Sequence, residues 1–337
     1  MNAKKLSVSL SVLVLGLTSC GSNGITRKEA YTKLDAIVAA TPAKQTKLTS
    51  VNNTMKDVTD SSGVTTKAGT LATYVFDAEA NYAHVTIGAA KTVKLTSGED
   101  TTELKLGSGD ELFAYADGTS YVFGAKTKDG SDDLEGSDKG VKVTVTNDSI
   151  LGYAAASSIM KGFAQTQIDA FVKCGREHWH NGAGGLSAYL KRQDTLDQKK
   201  EDVKVGDQTI QAGATDKGSH IVLQDEKYSS TGEGNLVLDF DALYPDGGEA
   251  KLHEPLKFEF NNNILTHWYN AKASSYAGNE WTMNYGTASN DKCTYTEITD
   301  ATKGTLLAAS VPLAIAALVA VDQPTSADVL YTAKWGK

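Results

Sequence analysis

Two long stretches of this chain alternate apolar and polar residues as half-buried strands do, and they limit what the rest can fold into. The first, from about residue 47 to 145, contains "GTLATYVFDAEANYAHVTIG", "ELFAYADGTSYVFG" and "VKVTV". The second, from about 220 to 295, contains "HIVLQDEKY", "NLVLDFDAL", "LKFEFNNNILTHWYN" and "EWTMNYG". Runs rich in Thr, Val and aromatic residues, punctuated by Gly, Asp and Ser, are strand signals. Asp117-Gly118 is a strong hairpin signal, and Pro245-Asp246-Gly247 reads as a turn between two strands. Each stretch predicts an antiparallel meander.

Helices are expected around them. In "ITRKEAYTKLDAIVAA", Thr26 followed three residues later by Glu29 fits a capping box, and Ala30, Leu34, Ile37 and Val38 form one apolar face. "SILGYAAASSIMKGFAQTQIDAFVKCG" predicts a second helix, with Ile159, Phe163, Ile168, Phe171 and Val172 on its buried side and Gly175 as its C-cap. "LKRQDTLDQKKEDVKVGDQ" reads as a polar connection to the second set of strands. The order of helix then meander occurs twice, without a repeat of fixed period.

Near the end, "TLLAASVPLAIAALVAV" (Thr305–Val321) is apolar all around and broken at Pro312. A membrane span, a helix buried inside the fold, and a surface patch or strand are its three readings. The internal helix is preferred, because the run is short for a span of roughly 20 residues and a helix apolar on every side must be covered. Leu313 and Ile315 would then line the space beneath the sheet. The fold class is α+β: a mainly antiparallel, curved, half-open barrel-like sheet with N-terminal, central and C-terminal helices.

The other constraint is the start. Lys4 and Lys5, an apolar core from Leu6 to Leu17 and a small-residue site form an export signal, too short to span a membrane. "LTSC" at Leu17–Cys20 resembles the lipobox of bacterial lipoproteins. That resemblance implies a diacylglycerol on the Cys20 sulfur, cleavage before Cys20 and usually acylation of the new amino terminus. Acyl chains contribute about 0.8 kcal/mol per buried CH₂, so two or three of them hold a protein stably on one leaflet. The expected organisation is a signal peptide at 1–19, a lipidated cysteine and flexible tether at 20–25, and an extracytoplasmic domain at 26–337 with halves at 26–150 and 151–337. The expected location is the extracytoplasmic side of a cell membrane, with membrane lipid as partner through the Cys20 acyl chains.

An apolar fraction of 40% is enough for a core. The net charge of −8 and the pI near 5.3 argue against nucleic acid, which calls for basic patches. With Cys20 assigned to lipid, Cys174 and Cys293 remain. An even pair in an exported chain fits one disulfide, worth about 4 to 5 kcal/mol if unstrained, and two buried free thiols are the other reading.

Chemical signatures are few. "CGREHWHNGAGG" offers Cys174, His178 and His180, but the spacing matches no established zinc site, and histidines after a helix C-terminus suit its dipole. The run "DGSDDLEGSD" places Asp129, Asp132, Asp133, Glu135 and Asp138 together, in a spacing that departs from the EF-hand and suits a solvated loop. Gly-x-Ser-x-Gly, HExxH and P-loop patterns are absent from the sequence, and no cofactor or metal is expected. His267, Trp268, Tyr269 and Trp281 fit strand periodicity, with Trp268 and Trp281 as core or cavity-lining residues.

The order of elements also resembles the half-open β-barrel lipoproteins and lipoprotein carriers of the LolA and LppX type. The resemblance rests on element order and carries over no residue. It implies capture of an apolar or amphiphilic ligand, a lipid or peptide, between sheet and helices, with Thr305–Val321 as the covering helix. A structural or adhesive surface lipoprotein is the second functional class, and an anchored hydrolase the third. Labelled fatty acid fed to the host should enter the wild-type protein and vanish from Cys20→Ser, and label retained in that variant would remove the lipid anchor from this reading.

Overall fold

The computed structural model describes residues 24–54, 57–59, 65–66, 68–97, 100–118, 120–126, 139–144, 162–177, 182–198, 203–205, 208–210, 222–244, 252–270 and 279–322. The first part holds β1 (Gly24–Ile25), α1 (Arg27–Ala39), β2 (Lys47–Thr54), β3 (Val58–Thr59), β4 (Thr65–Thr66), β5 (Gly69–Asp77) and β6 (Tyr82–Ile87). It continues with β7 (Lys91–Ser97), β8 (Asp100–Leu106), β9 (Glu111–Asp117), β10 (Ser120–Lys126) and β11 (Lys139–Thr144). Two helices, α2 (Phe163–Glu177) and α3 (Ala183–Gln198), separate these from β12 (Val203–Val205) and β13 (Gln208–Ile210). Then come β14 (Val222–Gly232), β15 (Asn235–Tyr244), β16 (Leu252–Asn261), β17 (Ile264–Asn270), β18 (Asn279–Tyr285), β19 (Thr296–Glu297) and α4 (Ala301–Asp322).

Thirteen strands form one sheet in the order β1-β14-β15-β16-β17-β18-β2-β5-β6-β9-β10-β11-β19. Every pairing in it is antiparallel except β11 with β19, and β1 does not meet β19, so the sheet is open. Both predicted meanders are present. They join where β18 pairs with β2, from Asn279 opposite Thr54 to Tyr285 opposite Leu48, so the two halves of the chain share one sheet. The Asp117-Gly118 hairpin forms between β9 and β10, with Gly118 at φ 62. Residues 245–251, with the Pro-Asp-Gly turn, lie outside the described residues, but β15 and β16 on either side of them pair as expected.

Register puts apolar side chains in rows along one face, as a period of two requires. One row crosses Leu238, Phe258, Trp268, Trp281, Asn52, Ala72 and Ile87 from strand to strand, and all are buried. A bulge where β17 pairs with β16 lets both Leu265 and Trp268 face inward despite their odd spacing.

The helices cover this inner face from three parts of the chain. α1 lies over β14 and β15, α2 over β17, β5 and β6, and α4 over β9 to β11 and the β7–β8 hairpin, while α3 packs on α1 and α2. α1 starts with the predicted capping box, in which Glu29 N–H donates to Thr26 Oγ1 at 3.2 Å and Thr26 N–H to Glu29 Oε2 at 2.8 Å. Ala30, Leu34 and Ile37 are buried, whereas Val38 is on the exposed side. The α1 C-terminal carbonyls of Ile37, Val38 and Ala40 accept from the Arg176 guanidinium of α2. Part of the polar segment read as a connection is helical instead: α3 buries Ala183, Leu186, Tyr189 and Leu190 at helical spacing.

Three expectations for the helices need correction. Gly175 lies inside α2 and does not cap it; a Cβ there would come within 2.6 Å of Leu265 Cβ, so the glycine is what lets the helix lie on β17. Pro312 does not break α4, because Val311, Ala314 and Ile315 around it hold both halves of the helix in the core. Nor is α4 buried on every side. Leu307, Val311, Ala314, Ile315, Leu318 and Val319 face inward, but Leu306 is 65% and Leu313 52% exposed, since the helix is the outer layer over the sheet. Its length and apolar composition would also suffice to cross a membrane. Ile315→Ala should cost about 2 to 5 kcal/mol in urea unfolding, whereas Leu313→Ala should stay within about 0.5 kcal/mol of wild type.

Candidate functional site

Beneath the middle of the sheet the core is aromatic. The Trp281 ring lies 6.1 Å from Tyr74 and 5.8 Å from Phe171 of α2, and Trp268 is 6.4 Å from Phe258. Trp268, Trp281 and Ile315 are fully buried, as the sequence led one to expect. Leu313 points away from the inner face and lines nothing there.

The unexpected feature of this face is polar. Ser50 and Asn52 of β2 and Asn270 of β17 are at most 4% exposed, yet among the described residues Ser50 Oγ, Asn52 Oδ1 and Asn270 Oδ1 have no hydrogen-bond partner, and neither does Trp268 Nε1. The atoms share one face of two strands separated only by β18, whose Trp281 is opposite both Asn52 and Trp268. Ser50 is opposite Met283 and Asn270 opposite Asn279, so with strands about 4.8 Å apart and about 3.4 Å per residue along them the group spans about 16 Å. Buried polar groups are nearly always hydrogen-bonded, and an orphaned one costs about 1 to 3 kcal/mol, so three acceptor side chains and an indole N–H here ask for polar partners.

A second concentration of chemistry lies on the opposite, outer face. After β18 the chain crosses that face as "TASNDKCTYTEITD" (287–300), pairs as β19 with β11 at the sheet edge, and enters α4 on the inner side. This strap covers a small core of Tyr82, Phe113, Tyr115 and Val122, against which Cys293 and Tyr295 pack. It is tied down by Tyr82 OH donating to Asp291 O at 2.9 Å, Asn290 Nδ2 to Asp77 Oδ2 at 2.7 Å and Lys292 Nζ to Asp117 at 2.6 Å. Asp300 then caps α4, accepting from the N–H groups of Thr302 and Lys303.

Under the strap, Cys293 Sγ is 4.0 Å from both His84 Nε2 and Glu111 Oε2, which are 3.0 Å apart. Burial pushes the Cys293 thiol up to about 11, with the Glu111 charge adding to it. Burial also pushes His84 below its ordinary value, against the pull of Glu111. Thiol and carboxylate meet the same imidazole nitrogen. A nucleophile, base and orienting acid would use both ring nitrogens in series, so this cluster is not built as a hydrolytic triad.

Of the two readings of Cys174 and Cys293, the structure has the free thiols and not the disulfide. They lie on opposite faces of the sheet, Cys174 on α2 on the inner side and Cys293 in the strap on the outer side. Loop length says nothing about which face each cysteine takes. Cys20, His178, His180 and the acidic run at 129–138 lie outside the described residues. The sequence reading missed His84 and Glu111, which come from β6 and β9; Ser50 and Asn52 were visible as polar residues in the inward register of Leu48.

No family model matches this chain, and no curated protein matches it.

Asp77 joins the strap to the sheet. Burial raises its pKa, but bonds from Asn290, the Ala80 N–H and Lys47 outweigh this and hold the carboxyl below its ordinary 3.8. Its contribution is therefore complete above that value and is lost as pH falls through the depressed one. Asp77→Asn should be less stable than wild type at pH 7, with the gap in melting temperature closing below about pH 4.

Proposed function

We propose that this protein is an extracytoplasmic lipoprotein, anchored by acyl chains on Cys20, that holds an amphiphilic ligand such as a lipid between its half-open sheet and the covering helices. The observation that carries the reading is the set of polar atoms at Ser50, Asn52, Trp268 and Asn270, without a partner among the described residues, within an otherwise apolar face. Binding sites for amphiphiles are mostly apolar, with a few polar groups that fix orientation, and a headgroup would supply the partners these atoms lack. The element order agrees with that of the LolA and LppX type of carrier. The −8 net charge argues against a nucleic-acid partner.

A structural or adhesive surface lipoprotein is the second reading, and the packed Tyr74, Phe171 and Trp281 rings favour it, because they fill much of the space a ligand would need. The two make opposite statements about the buried amides. In a structural protein they are only a cost; in a carrier they are anchors.

A chain beginning at Ser22, titrated with a fluorescent fatty acid, should show saturable binding. Asn52→Leu and Asn270→Leu should each weaken it about tenfold, the equivalent of one lost hydrogen bond, while leaving the unliganded protein as stable or about 1 to 3 kcal/mol more so. Absence of binding by the wild type would leave the structural reading.

A further inference from the structure

With a neutral imidazole, the hydrogen bonds around His84 do not close among the described residues. Tyr82 OH has one proton and donates it to Asp291 O at 2.9 Å, so towards His84 Nδ1, at 3.2 Å, it can only accept. Nδ1 therefore carries a proton, and in the neutral imidazole Nε2 carries none. In that form the lone pair on Nε2 is aimed at Glu111 Oε2, 3.0 Å away, where two acceptors face each other with Cys293 Sγ 4.0 Å from both. Something positive belongs between them.

We propose that Cys293 Sγ, His84 Nε2 and Glu111 Oε2 bind a divalent metal ion of the zinc class and so clasp the strap to β6 and β9. The donor set of thiolate, imidazole and carboxylate suits zinc, and the three atoms lie within 4.8 Å of one another. Zinc bonds of about 2.0 to 2.3 Å at tetrahedral angles put donors about 3.3 to 3.6 Å apart, so each separation here needs a change of only about half an ångström. Binding releases the thiol proton to solvent, and two anionic ligands then balance the two positive charges of the metal. Tyr82 is the positioning residue that fixes the tautomer, as partners of metal-bound histidines do. His84 and Glu111 keep 18% and 26% of their side-chain surface exposed, which gives the ion a path and water a fourth position. Lys126 Nζ, 3.8 Å from Glu111 Oε2, is the nearby cation that opposes the metal. The competing account is a buried imidazolium paired with Glu111.

The full-length protein in detergent would be titrated with Co²⁺, whose bond to thiolate gives an intense near-ultraviolet charge-transfer band, and with Zn²⁺ in competition. One equivalent should develop the band and zinc should abolish it. Cys174→Ser should keep the band and Cys293→Ser lose it. His84→Gln and Glu111→Gln should each weaken zinc by more than about 100-fold, and Tyr82→Phe by about 10- to 100-fold. Lys126→Gln should tighten it, the sign that a merely structural disturbance would not give. Absence of a thiolate band in the wild type, or a band that survives Cys293→Ser, overturns the site and leaves the imidazolium pair.

Discussion

An antiparallel sheet that is apolar along one face has to cover that face over its full width, and the rest of this fold follows from that demand. Strands from β14 to β11 lie side by side, and from β15 to β6 an inner row of Leu, Phe, Trp, Ala and Ile side chains is interrupted only by Asn52. No single helix is wide enough. α1, α2 and α4 each cover a different part of the sheet, and α3 seals the seam between the first two. Because the sheet is open, its final strand pair leaves the chain on the outer side of the β2–β18 junction, and the last helix is needed on the inner side near β10. The strap at 287–300 resolves this by crossing the outer face and turning around the β11 edge.

Local pattern made much of this legible. The capping box of α1, the Asp117-Gly118 hairpin and the strand runs depend on neighbours in sequence, and the residues that make them are adjacent in the chain. What sequence hid depends on neighbours in space. Gly175 looked like a helix end because glycine suits one, but its use is set by Leu265, ninety positions away along the chain. Leu313 looked buried because every face of α4 is apolar, whereas the number of covered faces depends on what packs above the helix. The same limit applies to Cys293, whose partners His84 and Glu111 reach it only because β6 pairs with β9.

The polar inner group and the outer cluster differ in how their unmet bonds arise. At Ser50, Asn52 and Asn270, acceptors are enclosed by apolar packing, and the deficit would be met by donors on a neutral or zwitterionic molecule. At His84 and Glu111, two acceptors face each other at hydrogen-bond distance, and only a proton or a metal ion between them removes the repulsion. The first asks for shape and apolar volume with a polar end. The second asks for charge.

The two places are also mechanically linked, since the strap that carries Cys293 continues through Asp300 into α4, whose Ile315 and Leu318 lie in the core beneath the sheet. Tyr74 OH donates to Leu318 O at 3.4 Å, so the helix is tied at one end to the aromatic centre and at the other to the strap. Loosening the strap would give α4 more freedom at its N-terminal end, because the side chains that hold the helix against the sheet are apolar and their contacts non-directional. A metal clasp on the outer face would thus restrict the helix that covers the inner one, and would stabilise the folded protein in proportion to its own binding free energy.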